Sequence, residues 1–471
     1  VLSRYSAEKI RLNSWLEALK LTFKEVGLAT LLTSITTAIG FGTLITASVY
    51  PVQRFGVVMA IGVMIAFCVT FLLLPSILYL IKDRWVIMNG GHGKEVVRIQ
   101  IKSNWYDAVM NNKSKILISF LVLLILSFAG ISSLKVNNFL LDDLRENDPH
   151  MLDFKFFENE FAGVRPFELS LESDIGLLDF RVLKELEKVE NYLVEHFGAK
   201  NIISPLYFMK SINQSVKGGK SDKFHLAGSS REFERQLRYV KRIERNEVFQ
   251  NYTSQDKMRG RLSSNIKDEG RIAVESKISG LQGFIESSIN QDLLKVKATG
   301  TAMLIDKNAE HLASNMIQGL GIAFVVISII VAFLFRSLKM VLISLIPNVL
   351  PLLLIAGFMG FVGIDLKAST IIIFTISFGI AVDDTIHFLS KLRIEFANGL
   401  GVDEALRKTF LSTGKAIVVT SLILFAGFAS LMFSTFQSTF YIGLLISLTL
   451  FFAVVADLVL LPILVKAVYK D

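Results

Sequence analysis

Cysteine is almost absent from this chain: Cys68 is the only one in 471 residues. A single thiol excludes an internal disulfide framework and a cysteine-based metal site, and it leaves the redox compartment undetermined. A basic segment followed by a short apolar core and a cleavage site is also missing, so no signal peptide is visible. Because the sequence starts at Val1 rather than Met, we expect its true start to lie upstream.

Catalytic and cofactor-binding patterns are equally scarce. His92 lies in "NGGHGK", which lacks the spacing of a phosphate-binding Walker loop and follows no predicted strand. The histidines at 150, 196, 225 and 311 stand singly, without the spacing of metal ligands. The sequence therefore predicts no enzyme activity, no cofactor and no metal site. Any transport would have to use an ion gradient or the energy of a partner.

Apolar residues, by contrast, are abundant. The hydrophobic set makes up 52% of the chain and includes 37 Phe, more than a soluble protein of this size readily buries. The net charge of +8 comes from Lys and Arg that cluster beside apolar segments, which is typical of cytoplasmic loops rather than of nucleic-acid binding. We therefore expect a polytopic α-helical membrane protein, with no nucleic-acid partner.

Eight segments approach the roughly 20 apolar residues that a helix needs to cross a bilayer. Short basic segments on one side of these spans are cytoplasmic by the positive-inside rule, which predicts a multi-pass protein of the cytoplasmic (inner) membrane. The eight predicted spans lie near 28 to 48, 54 to 81, 116 to 134, 314 to 335, 340 to 362, 368 to 390, 416 to 434 and 439 to 465.

The stretch from 136 to 312 is polar and long enough for a core of its own, and the same charge count makes it extracytoplasmic. "PFELSLES", "NIIS", "RIAVESKISG" and "LLKVKATGTAML" have the pattern of strands, and "LLDFRVLKELEKVENYLVEHF" and "LQGFIESSINQDL" that of helices. This order predicts an α+β domain of split β-α-β type. A charged, helical insertion from Leu206 to about Lys267 separates its halves.

Within this insertion, "REFERQLRYVKRIER" carries six basic residues. They could contact lipid headgroups or an acidic partner. We favour the simpler interpretation, a solvated helix face with paired charges.

An internal repeat relates the two ends of the chain. A shift of 387 residues, the separation of Glu17 and Glu404, places the first 80 residues on the last 80 without a gap. Gly40 then meets Gly427, and the equivalent of His387 falls just before Val1. We therefore expect the chain to be the C-terminal part of a longer protein with two parallel repeats, whose first four spans and first extracytoplasmic domain are missing.

The predicted organisation follows from the spans and the repeat together. It comprises a cytoplasmic segment (1–27), the last two spans of the first repeat (28–82), a cytoplasmic linker (83–115), the first span of the second repeat (116–135), the extracytoplasmic domain (136–312) and a five-span bundle (313–471).

Adjacent carboxylates interrupt one apolar span, in "FGIAVDDTIHFLSKLR". Helical spacing brings Asp383, Asp384 and His387 onto adjoining parts of one face. Two ionised carboxylates are costly in hydrocarbon, so the pair is suited to holding a proton, as in a proton relay. Gly379 would let another helix approach closely. The alternative is a fraying cytoplasmic helix end with His387 solvated.

Three polar residues of other spans lie at a similar depth, on the order of 10 Å from the cytoplasmic end, and are candidate neighbours of the relay. They are Thr420, Ser421 and Asp457. The alternatives are hydroxyls bonded to their own helix backbone for Thr420 and Ser421, and a packing residue for Asp457.

These features together resemble the resistance-nodulation-division (RND) superfamily of transporters, and most closely its MMPL-like predicted exporters. The resemblance rests on "GIAVDD", on "FRSLKMVLISLIPNVLPLLLIAGFMGFVGIDL", and on "LTSITTAIGFGTL" with its repeat "VTSLILFAGFASL". It implies that Asp383 and Asp384 are the relay of the tenth span and that 136–312 is the second porter domain. The fourth-span counterpart is absent from this chain. The spans also resemble sterol-sensing domains.

The sequence thus predicts a proton-driven exporter of lipid-like or hydrophobic molecules, with protons, membrane lipids and a hydrophobic substrate as partners, and with homo-oligomer formation left open. The alternatives are a lipid sensor of sterol-sensing type that does not transport, and an accessory subunit of protein translocation. Substrate identity and periplasmic or outer-membrane partners are not predicted.

Overall fold

The structure is a computed structural model that describes most of the chain. The predicted linker around His92 lies outside the described residues, as do most residues before Ser14. The described residues are 14–46, 50–80, 103–141, 143–161 and 163–469, with Tyr5, Glu8, Lys9 and Leu12.

Two compact units make up the chain: Val1–Val136 with His311–Asp471, and Asn137–Glu310. Helices dominate the first unit, and the second contains a four-stranded sheet. In chain order the helices are α1 (Trp15–Gly42), α2 (Tyr50–Leu80), α3 (Ser103–Asn111), α4 (Lys113–Ile131), α5 (Pro149–Glu160), α6 (Phe180–Tyr192), α7 (Pro205–Val216), α8 (Ser230–Ile243), α9 (Glu247–Gln250), α10 (Arg271–Ser288), α11 (Thr301–Phe335), α12 (Leu338–Val362), α13 (Ala368–Ala397), α14 (Val402–Ala429), α15 (Gln437–Val455) and α16 (Leu461–Val468).

Within the described residues, seven helices are long and apolar enough to cross a membrane. A membrane-spanning helix satisfies its backbone hydrogen bonds internally, which hydrocarbon requires. The first predicted span, 28 to 48, falls on α1 and on the 3-10 turn Thr43–Thr46 that follows it, and its described part includes the apolar helical stretch Thr33–Thr46. The seven are Tyr50–Ile77, Lys113–Ile131, Thr301–Phe333, Leu338–Val362, Thr370–Ala397, Val402–Phe433 and Gln437–Val468.

The sheet of the second unit confirms the predicted split β-α-β arrangement. Its strands are β1 (Arg165–Glu172), β2 (Lys200–Ile203), β3 (Arg259–Ile266) and β4 (Lys295–Thr299), in the antiparallel order β2-β3-β1-β4. Strand β1 alternates buried and more exposed residues, as the period of two in its sequence predicts. Helices α6 and α10 are the two crossovers, and their apolar faces contribute Leu186 and Leu281 to the core.

Two local predictions in this unit are wrong. "RIAVESKISG" is the start of helix α10 rather than a strand, with Val274, Leu281 and Ile285 buried at helical spacing. The strand that pairs with β1 is instead β3, in the segment predicted as a helical insertion. Polar Ser264 occupies a buried position of β3, so the strand shows too little apolar alternation to be recognised.

A buried ionic cluster ties β1 to other segments of the second unit. Arg165, which is 1% exposed, donates to Asp268 Oδ1 at 2.6 Å and also to the carboxylate of Asp306. The other oxygen of Asp268 accepts the backbone N–H of Leu140 at 2.6 Å. Each of these groups depends on the others, because an unpaired charge here would be buried without compensation.

Replacing the cation should therefore destabilise the second unit strongly. We expect Arg165→Gln to lower its unfolding free energy by about 3 to 5 kcal/mol, because two carboxylates lose their partner. The matched control is Arg259→Gln, which breaks an exposed pair with Glu172 on the same sheet and should cost about 1 kcal/mol or less. Thermal and urea unfolding of the whole chain in detergent measures both. Equal losses in the two variants would contradict this account.

A second buried carboxylate makes the stability of this unit depend on pH. Glu190 accepts hydrogen bonds from Ser204 Oγ at 2.6 Å and from Lys210 Nζ at 3.0 Å. Burial nevertheless raises the pKa of Glu190, and these two partners offset the effect only in part. The folded unit thus binds this proton more tightly than the unfolded chain does.

The expected consequence is a loss of stability on raising the pH. The contribution of Glu190 is fully present below the ordinary glutamate pKa and disappears as the pH rises through the raised, folded pKa. Glu190→Gln should flatten this part of the profile, whereas Glu195→Gln, which changes an exposed carboxylate of the same segment, should not. Unfolding midpoints measured across mildly acidic to neutral pH test the sign. A profile that Glu190→Gln leaves unchanged would refute the assignment.

Candidate functional site

The paired carboxylates lie on α13, which packs against α1, α12, α14 and α15. Successive residues of a helix point about 100° apart, so three consecutive polar residues can face three different neighbours. Asp383, Asp384 and Thr385 do so. The site is therefore a set of contacts around one helix rather than a single pocket.

Asp383 faces α1. Thr33 of α1 is a neighbour of its carboxyl group, and the Thr33 hydroxyl donates to the carbonyl of Thr30 in its own helix at 3.0 Å. One helical turn further along α13, Nε2 of His387 lies 3.4 Å from Asp383 Oδ1. The side chains of Asp383 and His387 are 39% and 31% exposed in this chain, whereas Oδ1 of Asp383, the atom that faces His387, is itself buried.

Asp384 faces α14. Its Oδ2 accepts a hydrogen bond from Ser421 Oγ at 2.8 Å. Thr420, the adjacent candidate, does not join the group, because its hydroxyl donates to the carbonyls of Ala416 and Ile417 in its own helix. Of these two predicted neighbours, only Ser421 contacts a carboxylate.

Thr385 connects α13 to Asp457, which lies in a π-helical turn, Ala456–Leu460, at the end of α15. Thr385 Oγ1 donates to Asp457 Oδ1 at 2.6 Å and accepts from Asn348 Nδ2 of α12 at 3.0 Å. All three side chains are buried, with 2% exposure or less. Asp457 is thus joined to the carboxylate-bearing helix but not directly to Asp383 or Asp384.

Two carboxylate oxygens are buried without a hydrogen-bond donor among the described residues. They are Asp383 Oδ1 and Asp457 Oδ2. A buried polar atom without a partner is uncommon and carries a desolvation cost, which a bound proton on the carboxyl group would reduce. The arrangement can therefore accept protons at two places.

Gly379 lies one turn before Asp383, at the crossing of α13 and α1. A methyl group added to Gly40 would lie 2.9 Å from Gly379 Cα, closer than such atoms normally come, and one added to Gly379 would lie 3.3 Å from Gly40 Cα, so larger side chains would push the two helices apart. Thr37 Oγ1 donates to the Gly379 carbonyl at 3.3 Å across the same crossing. This close approach keeps Thr33, which lies one helical turn before Thr37 in α1, near Asp383.

Thr33, Thr385 and Asn348 were not predicted as members of the site. Thr33 was visible as the repeat equivalent of Thr420, and Thr385 directly follows the carboxylates. Asn348 was visible as an amide inside the apolar "SLIPNVLP". Among the described residues, no group of three or more His, Cys, Asp or Glu side chains is placed to hold a metal ion.

This chain is similar to a known protein family, to a relative and to solved structures. The family model described as MMPL family matches residues 1–112 and 185–468. The membrane protein MJ1562 of Methanocaldococcus jannaschii is 22% identical to this chain over 368 residues. The matched region covers 76% of this chain and 92% of that protein.

Solved structures of SecDF have a similar fold. The translocon-associated membrane protein SecDF of Thermus thermophilus matches all of this chain with a TM-score of 0.58 at 15% identity. A second SecDF structure, in a super-membrane-facing form, matches 99% with a TM-score of 0.55 at 16% identity. At this identity the likeness concerns the fold. The chain spans about half the length of these structures, 52% of each.

The glycine crossing gives a direct test of this geometry. Gly379→Leu should force α1 away from α13 and lower the stability of the chain in detergent by about 1 to 3 kcal/mol, as overpacking does. Gly427→Leu is the matched control, because an added side chain there meets no atom within 4 Å and should change stability by about 0.5 kcal/mol or less. Thermal unfolding measures both. If Gly379→Leu is as stable as Gly427→Leu, the close approach does not exist.

Proposed function

This chain belongs to the MMPL family, and from that premise we propose that it works as a proton-driven exporter of lipid-like or other hydrophobic molecules. The family and the fold together support an RND-type, transporter-like, multi-pass membrane protein. The observation that carries this proposal is the pair Asp383 and Asp384, which lies inside a membrane-spanning helix, with His387 beside the first carboxylate and Ser421 bonded to the second.

Protons would act through the hydrogen bonds of α13. An ionised Asp384 accepts from Ser421, whereas a protonated carboxyl can also donate, so proton binding changes the contact between α13 and α14. Asp383 lies against α1, where Thr33 is its neighbour, so a change in the charge of Asp383 alters that contact as well. His387, at 3.4 Å from Asp383 and partly exposed, is suited to passing protons to and from this carboxylate.

Helix movement would then couple proton binding to transport. Helix α13 would adopt two arrangements against α1 and α14, and each protonation state would favour one of them. A proton gradient can then shift the populations of the two arrangements. The Asp457, Thr385 and Asn348 network lies on a neighbouring side of α13 and would hold α12 and the π turn against it during this change. We place this activity in the cytoplasmic membrane, with the extracytoplasmic unit as a porter domain that receives the hydrophobic substrate.

An accessory role in protein translocation is a second candidate. It is favoured by the similarity in fold to SecDF, a protein described as translocon-associated. Both functions would use the same intramembrane carboxylates. They differ in cargo, so a lipid probe and a secretory protein substrate distinguish them.

Loss of either carboxylate should abolish coupling to the proton gradient. In proteoliposomes with an imposed pH gradient, an entrapped pH-sensitive dye reports proton movement and a fluorescent short-chain phospholipid reports export. We expect Asp383→Asn and Asp384→Asn each to reduce both signals by at least about a hundredfold, because the removed group would carry the proton itself.

Asp153→Asn is the control, since it removes an exposed carboxylate of α5, which belongs to the other unit of the chain. It should retain both signals. Full proton-dependent activity in the two relay variants would refute the relay. A third result is proton movement that depends on Asp383 and Asp384 without movement of the lipid probe. It would support the proton relay and exclude lipid-like molecules as the cargo.

A further inference from the structure

One face of α8 carries a row of arginines. Arg231, Arg235, Arg238 and Arg242 follow one another at intervals of four, three and four residues, and Arg245 comes directly after the C-terminal cap of the helix. All five side chains are exposed. Helical spacing puts them in one line about 21 Å long. We call these five residues the arginine row.

The acidic residues of the same segment do not neutralise this row. Glu232 pairs with Lys217 at 2.6 Å, and Glu244 pairs with Lys257. Glu234 forms no ion pair within the part of the chain that the structure describes, and the same is true of the five arginines. The face is solvated, as the sequence predicts, and two carboxylates of the segment are paired, but their partners are lysines of other segments rather than the arginines.

Folding does not explain the row. Helix α8 packs into the core of its unit through Phe233 and Val240, on the face opposite to the arginines. Like charges at intervals of three and four residues repel each other and weaken a helix. The row thus opposes the stability of α8 while leaving its packing unaffected, which is the expected signature of a binding surface.

An apolar groove runs beside the row, between α7 and α8. It has a volume of about 500 Å³ and is lined mainly by Phe208, Ile212 and Val216 of α7 and by Tyr239 of α8. The guanidinium of Arg242, at the rim, lies over the Tyr239 ring at 5.5 Å from its centroid. Exposed Tyr and Arg beside an apolar pocket are the residues that contribute most to protein interfaces.

We propose that α8 binds an acidic helical segment of a partner protein, whose carboxylates lie along the arginine row and whose apolar side chain enters the groove. Intervals of three and four residues are those at which two helices contact each other along a seam. Guanidinium groups suit planar carboxylates, which they can bind through two hydrogen bonds. A membrane surface fits less well, because the apolar face of α8 is already buried and cannot enter lipid.

The test uses the whole chain in nanodiscs of phosphatidylcholine. The probe is a fluorescent helical peptide with Glu at intervals of four, three and four residues and one Leu, compared with a scrambled peptide of the same composition. Anisotropy should show tighter binding of the ordered peptide and weakening by added salt. The triple variant Arg235→Gln, Arg238→Gln and Arg242→Gln should bind it at least about tenfold more weakly.

The charge-matched control replaces three exposed lysines of the same unit, Lys200→Gln, Lys220→Gln and Lys297→Gln, and should bind as the parent does. The arginine variant should also unfold at the same temperature as the parent or a higher one, since it removes repulsion. Equal binding of the scrambled peptide, equal loss in the lysine variant, or a lower unfolding temperature of the arginine variant would overturn the proposal. Preference for phosphatidylglycerol vesicles over the ordered peptide would overturn it in favour of a membrane surface.

Discussion

A carboxylate inside a membrane-spanning helix has to find polar partners on neighbouring helices, because hydrocarbon offers none. This constraint organises the helical unit around α13. Asp383, Asp384 and Thr385 occupy consecutive positions, and the helical repeat directs them to α1, to α14, and to α12 with Asp457. A change in the protonation of one residue therefore alters a contact with one particular neighbour, which is how a local event could move a whole helix.

Backbone geometry supports this arrangement at two places. The Gly40 and Gly379 crossing lets α1 approach α13 closely enough for the Thr37 hydroxyl to reach the Gly379 carbonyl. At the end of α15, the π-helical turn Ala456–Leu460 contains Asp457, whose Oδ1 Thr385 reaches at 2.6 Å. Such single π turns inside helices often occur at functional sites. The sequence predicts the close approach at Gly379, because glycine has no side chain, whereas no residue type in Ala456–Leu460 indicates a π-helical turn.

Much of the fold was predictable because its signals are local and periodic. Long apolar runs predict the spans, and the alternation in β1 and the helical spacing in α6 predict the split β-α-β unit. Strand β3 was not predicted because its buried position 264 is a polar serine. That position is buried only through pairing with β1, a distant segment, so the neighbouring residues do not reveal it. Ser421 could not be separated from Thr420 by depth, since the rotation of α14 decides which hydroxyl faces Asp384. The relay role of these residues stays a prediction.

The central claim is that the Asp383 and Asp384 pair binds a proton within the membrane. Infrared difference spectroscopy on the chain in lipid nanodiscs, between acidic and neutral pH, detects protonated carboxyl groups directly. The account predicts a carboxyl band that shifts in heavy water and disappears when Asp383→Asn and Asp384→Asn are combined, while Asp153→Asn retains it. A difference spectrum that the double variant leaves unchanged would contradict the account.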